Sequence, residues 1–228
     1  MKAMILAAGL GQRMRPLTDD LPKPMLAVGG KPLIQYHLEN LRAAEIEEVI
    51  INLAYLGDKI REFVGDGSRF GLKVGYSQEP EPLETGGALL RALPLLGHES
   101  FLLLNGDVWC DLDLKKFSQY TLSQRGHLLL VPNPSFHPQG DFALADAGQL
   151  IEDNEKNHPH RYTYGGIALL HPDIIRLYPE QRTKFPLGEV LFKAVTKREL
   201  SGEVYGGHWS DVGTPARLND LEHYLLSR

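Results

Sequence analysis

The sequence has a single cysteine, Cys110, among 228 residues. This excludes an internal disulfide framework and a cysteine-rich zinc site, and a lone thiol fits a reducing compartment. No apolar stretch approaches the roughly 18 residues of a membrane span. The opening MKAMILAAGLGQRMRPL has an apolar run, but glycines and arginines break it too soon for a signal peptide. The expected location is the cytoplasm, with no membrane partner. There is no Lys/Arg run either: 24 basic and 29 acidic residues give a formal charge of -5. That leaves no footprint for nucleic acid; if the chain handles phosphates, it must do so with a few placed cations and backbone amides. Repeats, low-complexity tracts and linkers are missing as well. With 43% hydrophobic residues the chain can bury a full core, and one domain over 1–228 is expected.

Apolar runs of strand length alternate with segments of helical period. Residues 2–8, 48–53, 72–77 and 101–105 read as strands. Residues 32–44 place Leu33, Ile34, His37, Leu38 and Leu41 on one helical face, with Pro32 in the first turn. Residues 58–64 read as a short helix, and another begins at 85–93. This order predicts an α/β fold with a doubly wound, mostly parallel but mixed, Rossmann-like sheet. Ligands are expected outside the carboxyl ends of its strands. Further on, 127–131, 142–145 and 163–170 read as partly antiparallel strands, with helices near 189–200 and 216–226. The chain is expected to divide into a first part over about 1–107 and a second, less regular subregion over about 108–210.

The first strand runs into AAGLGQRMRP, where Gly9 and Gly11 let the backbone turn and aim N–H groups at an anion. The third glycine of a dinucleotide fingerprint is replaced by Met14, and no Walker A loop occurs. Arg13, Arg15 and, in LPKPML, Lys23 supply cations for a phosphate clamp. LLLNGD ends a buried strand at Asp107, and WSDVGTP sets Asp211 in a turn; Asp107 alone reads more readily as a turn residue, and Asp211 has the same alternative. Asp111 and Asp113 lack the glycine and glutamate of a calcium loop and read as surface or helix-start residues. His158 and His160 lack a third ligand and read as a solvated loop.

The long run AAGLGQRMRPLTDDLPKPMLAVGGKPLI resembles the signature of sugar-1-phosphate nucleotidyltransferases, through its glycines, Arg13, Pro16, Thr18, Pro22, Lys23 and Pro24. Gln12 stands where many relatives carry a small hydroxyl residue. The resemblance implies Mg2+ held by Asp107 and Asp211, with Lys23 and Arg13 as the catalytic cations. It implies a nucleotide-binding half over about 1–107 and a sugar-binding subregion over about 108–210, with nucleotide contacts from Ala7, Ala8, Gly9, Gly11, Gln12 and Arg13. In SQEPEPLETGGAL it implies that Gln78 reads the base, while Gly86 and Gly87 admit it closely. Sugar contacts are implied for Asn105, Gly140, Glu155, Lys156, Tyr164 and Gly166, although Glu155-Lys156-Asn157 departs from the family's Glu-Lys-Pro phrase. Gln78, Glu155 and Tyr164 read equally as structural residues.

The short form of the chain, without a hexapeptide-repeat extension, resembles members that join UMP from UTP to N-acetylmuramate 1-phosphate in cell-wall recycling. Lys156 and Arg161 are the candidate cations for that acceptor's lactyl carboxylate. Glucose, mannose or heptose 1-phosphate, with thymidine or guanosine donors, are the alternatives, followed by a non-catalytic sugar-nucleotide sensor. The lack of an added assembly domain favours a monomer.

Overall fold

The computed structural model describes residues 1–153 and 155–227. In chain order the elements are β1 (Lys2–Leu6), a small hairpin of β2 (Ala27–Val28) and β3 (Lys31–Pro32), α1 (Leu33–Ala43), β4 (Glu48–Leu53), α2 (Gly57–Val64), β5 (Lys73–Gln78), α3 (Glu84–Leu96) and β6 (Phe101–Asn105). Then come β7 (Val108–Cys110), α4 (Leu114–Ser118), β8 (Gly126–Val131), β9 (Phe142–Leu144), β10 (Leu150–Ile151) and β11 (Arg161–Leu170). The chain closes with α5 (Asp173–Arg176), α6 (Leu187–Thr196), β12 (Leu200–Val204), β13 (Trp209–Asp211) and α7 (Pro215–Leu226). No helix among the described residues is long and apolar enough to cross a membrane.

The continuous apolar runs become the sheet centre because strands covered on both faces need no polar side. β5, β4, β1 and β6 lie side by side and parallel. β11 adds antiparallel to β6, β8 antiparallel to β11, and β12 parallel to β8. β9 and β10 extend from the beginning of β11. The mixed, doubly wound sheet expected from the sequence is therefore present. Its order reverses at β1, where the chain leaves for β4 on one side and returns to β6 on the other. Leu6 is in register with both Asn52 and Asn105, so three strand ends open together at the switch point, where such sheets bind ligands.

Several boundaries differ from the sequence reading for local reasons. β1 stops at Leu6 because the Ala7 N–H leaves the ladder and donates to the Asn52 side chain at 2.7 Å. The helix expected over 189–200 ends at Thr196; Arg198 turns to φ 57°, and Leu200 starts β12, which the sequence reading did not contain. β11 carries a bulge between Tyr164 and Ala168. Gly166 sits there at φ 74°, where a Cβ would come within 2.9 Å of the Asn105 amide. Bulges of this kind re-aim side chains beside functional sites. Asp113 caps α4 by accepting from the Lys116 N–H, as a helix-start residue should.

The apolar face of α1 includes His37, only 6% exposed. Burial pushes its pKa down from 6.5 to about 4, outweighing the opposing pull of Asp107 and nearby backbone carbonyls. A folded pKa below the unfolded one means that the unfolded chain binds more protons between those values, so stability falls as pH drops. Between pH 7.5 and pH 5 this group should cost about 2 kcal/mol of stability. Urea unfolding at the two pH values checks this, and His37→Leu should remove that part of the slope.

Candidate active site

At the switch point a cavity of about 390 Å3 is lined by Ala7, Ala8, Gly9, Lys23, Asn105 and Asp107, among others. Its wall is held by a buried polar chain. The Asn52 carboxamide accepts from Ala7 N–H and donates to Glu79 Oε1 at 2.7 Å. Glu79 Oε2 accepts from the Leu83 N–H at 3.0 Å. Glu79 is 3% exposed, and burial raises its pKa above the ordinary carboxylate value while Asn52 and Leu83 oppose the rise.

A second cavity, about 450 Å3, continues along residues 9–14 and also touches Lys23, Asp107 and Gly213. Gly11 turns here at φ 62°, and its carbonyl is held by the buried Thr18 hydroxyl at 2.8 Å. Gln12–Met14 forms a single 3-10 turn, which puts Gly11, Gln12 and Arg13 on the cavity wall. Among the described residues Arg13 makes no ion pair, which leaves its guanidinium for an anion. Arg15 is different: it pairs with Asp19 at 3.3 Å on the surface and lines neither cavity. The clamp thus keeps two of its three expected cations.

A third cavity, about 340 Å3, contains Asp107 and Asp211 together, with Arg13, Asn105, Tyr164 and Gly166. The two aspartates are 104 positions apart in the chain and meet through β7 and β13. Asp211 is in register with Val108, and the Val212 N–H donates to the Asp107 carbonyl at 2.9 Å. Lys23 Nζ is ion-paired with Asp107 Oδ2, and Arg217 holds Asp211 Oδ2 at 2.9 Å. Both pairs engage Oδ2, leaving an Oδ1 on each carboxylate for a hard cation. No group of three or more His, Cys, Asp or Glu that could hold a metal occurs among the described residues. Two carboxylates, completed by phosphate and water, fit a small oxygen-seeking divalent ion and not a thiolate- or imidazole-bound one.

Other expected residues fall elsewhere. Gln78 is exposed, accepts from Arg61 at 3.2 Å and is absent from the cavity wall; its neighbour Glu79 faces inward instead. Adjacent residues on a strand point to opposite faces, so a one-residue slip exchanges the two. Gly86 and Gly87 are buried, and both N–H groups donate to the Phe185 carbonyl, at 2.9 and 3.1 Å. A Cβ on Gly86 would lie 2.5 Å from the Phe185 ring, and one on Gly87 2.4 Å from the Thr183 carbonyl oxygen. They admit a neighbouring segment of the chain rather than open onto the cavity.

Gly140 is buried at φ 61° against Asn133 and Tyr162, and it is Asp141 beside it that reaches the cleft. Glu155 and Lys156 are exposed and line none of these cavities. Arg161 is consumed structurally: it pairs with Asp153 at 2.8 Å and donates to the carbonyls of Gln139, Gly140 and Asp141. It is thereby removed as a candidate for an acceptor carboxylate. The sequence reading missed Asn52, Glu79, His137, Asp141 and Lys184. Only Glu79, inside the SQEPEPLETGGAL phrase, carried a signal.

Because Gly86 serves packing, Gly86→Ala should overpack the α3 contact and cost about 2 kcal/mol. For a chain of this size that lowers Tm by roughly 4–8 °C, measurable by calorimetry without any ligand. A glycine kept for ligand approach would show an unchanged Tm.

Comparison with known proteins agrees with this geometry. A family model described as nucleotidyl transferase matches residues 2–228. N-acetylmuramate alpha-1-phosphate uridylyltransferase of Neisseria meningitidis is 43% identical over 227 residues, covering 97% of each chain. D-glycero-alpha-D-manno-heptose 1-phosphate guanylyltransferase of Campylobacter jejuni is 32% identical over the full length of both. Among solved structures, HddC from Yersinia pseudotuberculosis, complexed with GMP-PN, superposes with a TM-score of 0.78 at 27% identity, covering 98% of each chain. A putative glucose-1-phosphate thymidylyltransferase from Bacillus anthracis shares the fold with a TM-score of 0.87 at 22% identity, over 99% of this chain and 95% of that one. The chain therefore belongs to the nucleotidyl transferase family, with sugar-1-phosphate nucleotidyltransferases as its full-length relatives.

Proposed function

We propose that the protein transfers UMP from UTP to N-acetylmuramate 1-phosphate, giving the nucleotide sugar and pyrophosphate, with Mg2+ as cofactor. The observation that carries the reaction is the convergence of Lys23, Arg13, Asp107 and Asp211 on one cleft at the sheet's switch point. The relative at 43% identity supports the donor and acceptor. A role in cell-wall recycling, a cytoplasmic location, a monomeric state and a single domain with nucleotide and sugar sides belong to the same reading.

The acceptor's phosphate oxygen attacks the α-phosphorus in line, and the bond to the bridging oxygen breaks as pyrophosphate leaves. That nucleophile is already anionic near neutral pH, so no strong base is needed. The obstacle is repulsion between two anions. Lys23, 9% exposed and paired with Asp107, is positioned to turn its charge to the reacting phosphates. Arg13 and the amides of residues 9–12 hold the leaving pyrophosphate. Asp107 and Asp211 are the residues that would hold Mg2+, whose charge, when bound, serves as a Lewis acid on phosphate oxygens. A second reading, a guanosine donor, is supported by the heptose 1-phosphate guanylyltransferase of Campylobacter jejuni at 32% identity.

Pyrophosphate release, measured with each nucleoside triphosphate and a panel of sugar 1-phosphates, tests the assignment. UTP with N-acetylmuramate 1-phosphate is expected to be the preferred pair. A different pair would replace the substrates, and no turnover from folded protein would overturn the enzymatic reading. Lys23→Ala should keep its fold and lose about 10²–10³ in kcat, read by the same assay alongside circular dichroism. Asp211→Asn should raise the Mg2+ concentration needed for half-maximal rate, checked by metal titration.

A further inference from the structure

The main chain at Asp211 is pinned on both sides. The Val212 N–H donates to the Asp107 carbonyl at 2.9 Å. Trp209, two residues earlier on β13, donates its Nε1–H to the Gly165 carbonyl at 2.8 Å. Neither bond sets the torsion of the Asp211 carboxylate itself. Among the described residues the only hydrogen bond to that carboxylate comes from Arg217, the third residue of α7. Which oxygen faces the cavity is therefore decided by where one guanidinium sits.

Three features seat that guanidinium. Its Nε donates to Thr214 Oγ1 at 3.4 Å, the same hydroxyl that caps α7. Gly213 leaves it room: a Cβ there would lie 2.1 Å from Arg217 Nη2 and 3.1 Å from Asp211 Oδ1. The third feature comes from a distant part of the chain. Phe136, on the loop between β8 and β9, faces the guanidinium with its ring centre 4.0 Å from Cζ. The ring is half-exposed and lines the cavity that holds the two aspartates. Its loop is braced, because the Asn133 side chain accepts from the Thr163 hydroxyl at 3.0 Å and donates to the Pro138 carbonyl at 3.3 Å. A guanidinium laid on an aromatic face is attracted to it and keeps its N–H edge free for hydrogen bonds.

The geometry points to Arg217 as a positioning residue of the metal site, seated by Phe136 and Gly213. It takes Asp211 Oδ2 and so presents Oδ1 to the cation. This rests on the reading of Asp107 and Asp211 as the residues that hold Mg2+. The two cations beside these carboxylates then differ in role. Lys23 is a point charge on a flexible stem and can leave Asp107 for a phosphate. Arg217 cannot follow without giving up Phe136 and Thr214. A plain counter-ion and a positioner also differ in sign. A positive charge beside a carboxylate opposes a second cation, so removing a mere counter-ion tightens metal binding. Removing a partner that orients a ligand weakens it, by about tenfold or more.

Mn2+ binding to the full chain, followed by loss of the free-ion signal in electron paramagnetic resonance, tests this without turnover. The Mg2+ dependence of pyrophosphate release is the kinetic counterpart. Arg217→Met should weaken Mn2+ binding about tenfold. Phe136→Ala changes no charge and should weaken it about threefold, while Phe136→Tyr keeps the wild-type value. Gly213→Ala keeps every charge but occupies the guanidinium's place, and should weaken binding in the same direction. Tm and the affinity for UTP without metal should stay at the wild-type values in all four variants. Tighter or unchanged Mn2+ binding in Arg217→Met would overturn the inference. So would a matching loss of UTP affinity, which marks general disruption, or a wild type that takes up no Mn2+. If Mn2+ binding changes as expected while no pair of substrates is turned over, the positioning stands and the transfer reading falls. Turnover whose Mg2+ dependence ignores these variants does the reverse.

Discussion

The site depends on a single buried carboxamide. At Ala7 the main chain leaves the sheet, and its N–H would be stranded in the interior, a costly loss for a backbone donor. Asn52, at the equivalent height on β4, accepts that hydrogen bond and passes the constraint to Glu79. Glu79 in turn fixes the backbone ahead of α3. One side chain thus sets where the glycine-rich loop departs and where the opposite wall stands. Being buried, the chain of bonds is stronger than it would be in water, and it fails as a unit if one member is lost.

The electrostatics follow from that frame. Two carboxylates that face one cavity would repel each other and any phosphate, but each already has its own cation, Lys23 for Asp107 and Arg217 for Asp211. The carboxylates and cations are therefore present in balanced pairs, and Arg13 adds an unpaired positive charge beside them. Anions entering the cavity that holds the two aspartates meet a surface that is neutral to positive although the chain as a whole carries -5. A few placed charges outweigh the net balance because interactions between exposed charges are screened within about 10 Å.

Much of this was legible in the sequence. β4 and β6 matched their apolar runs residue for residue, because a strand buried on both faces leaves a continuous signal. The sequence pointed to Arg13, Lys23, Asp107 and Asp211, and the fold gathers them in one cleft. What was not legible has common physical roots. Gln78 and Glu79 differ by one step along a strand, and only the register decides which faces inward. Gly86 and Gly87 looked like room for a ligand because their real neighbours, Thr183 and Phe185, lie almost a hundred residues away. β12, with Leu200, Gly202 and Glu203, has no strand alternation and borrows its conformation from pairing with β8. Glu155 and Lys156 rested on the phrase they stand in rather than on any local chemistry, and the structure sets them on an exposed loop.

The clasp between β7 and β13 has a bearing on how the enzyme comes into being. Chains emerge from the ribosome in order, and their early segments can pack first. Here the parallel strands that frame the switch-point cleft are complete by Asn105, yet Asp211, which meets Asp107, is made about a hundred residues later. Pairings so distant along the chain form late. The pair of aspartates therefore cannot meet until the last strand has been made, and Lys184, which lines the switch-point cavity, also follows β6 in the chain.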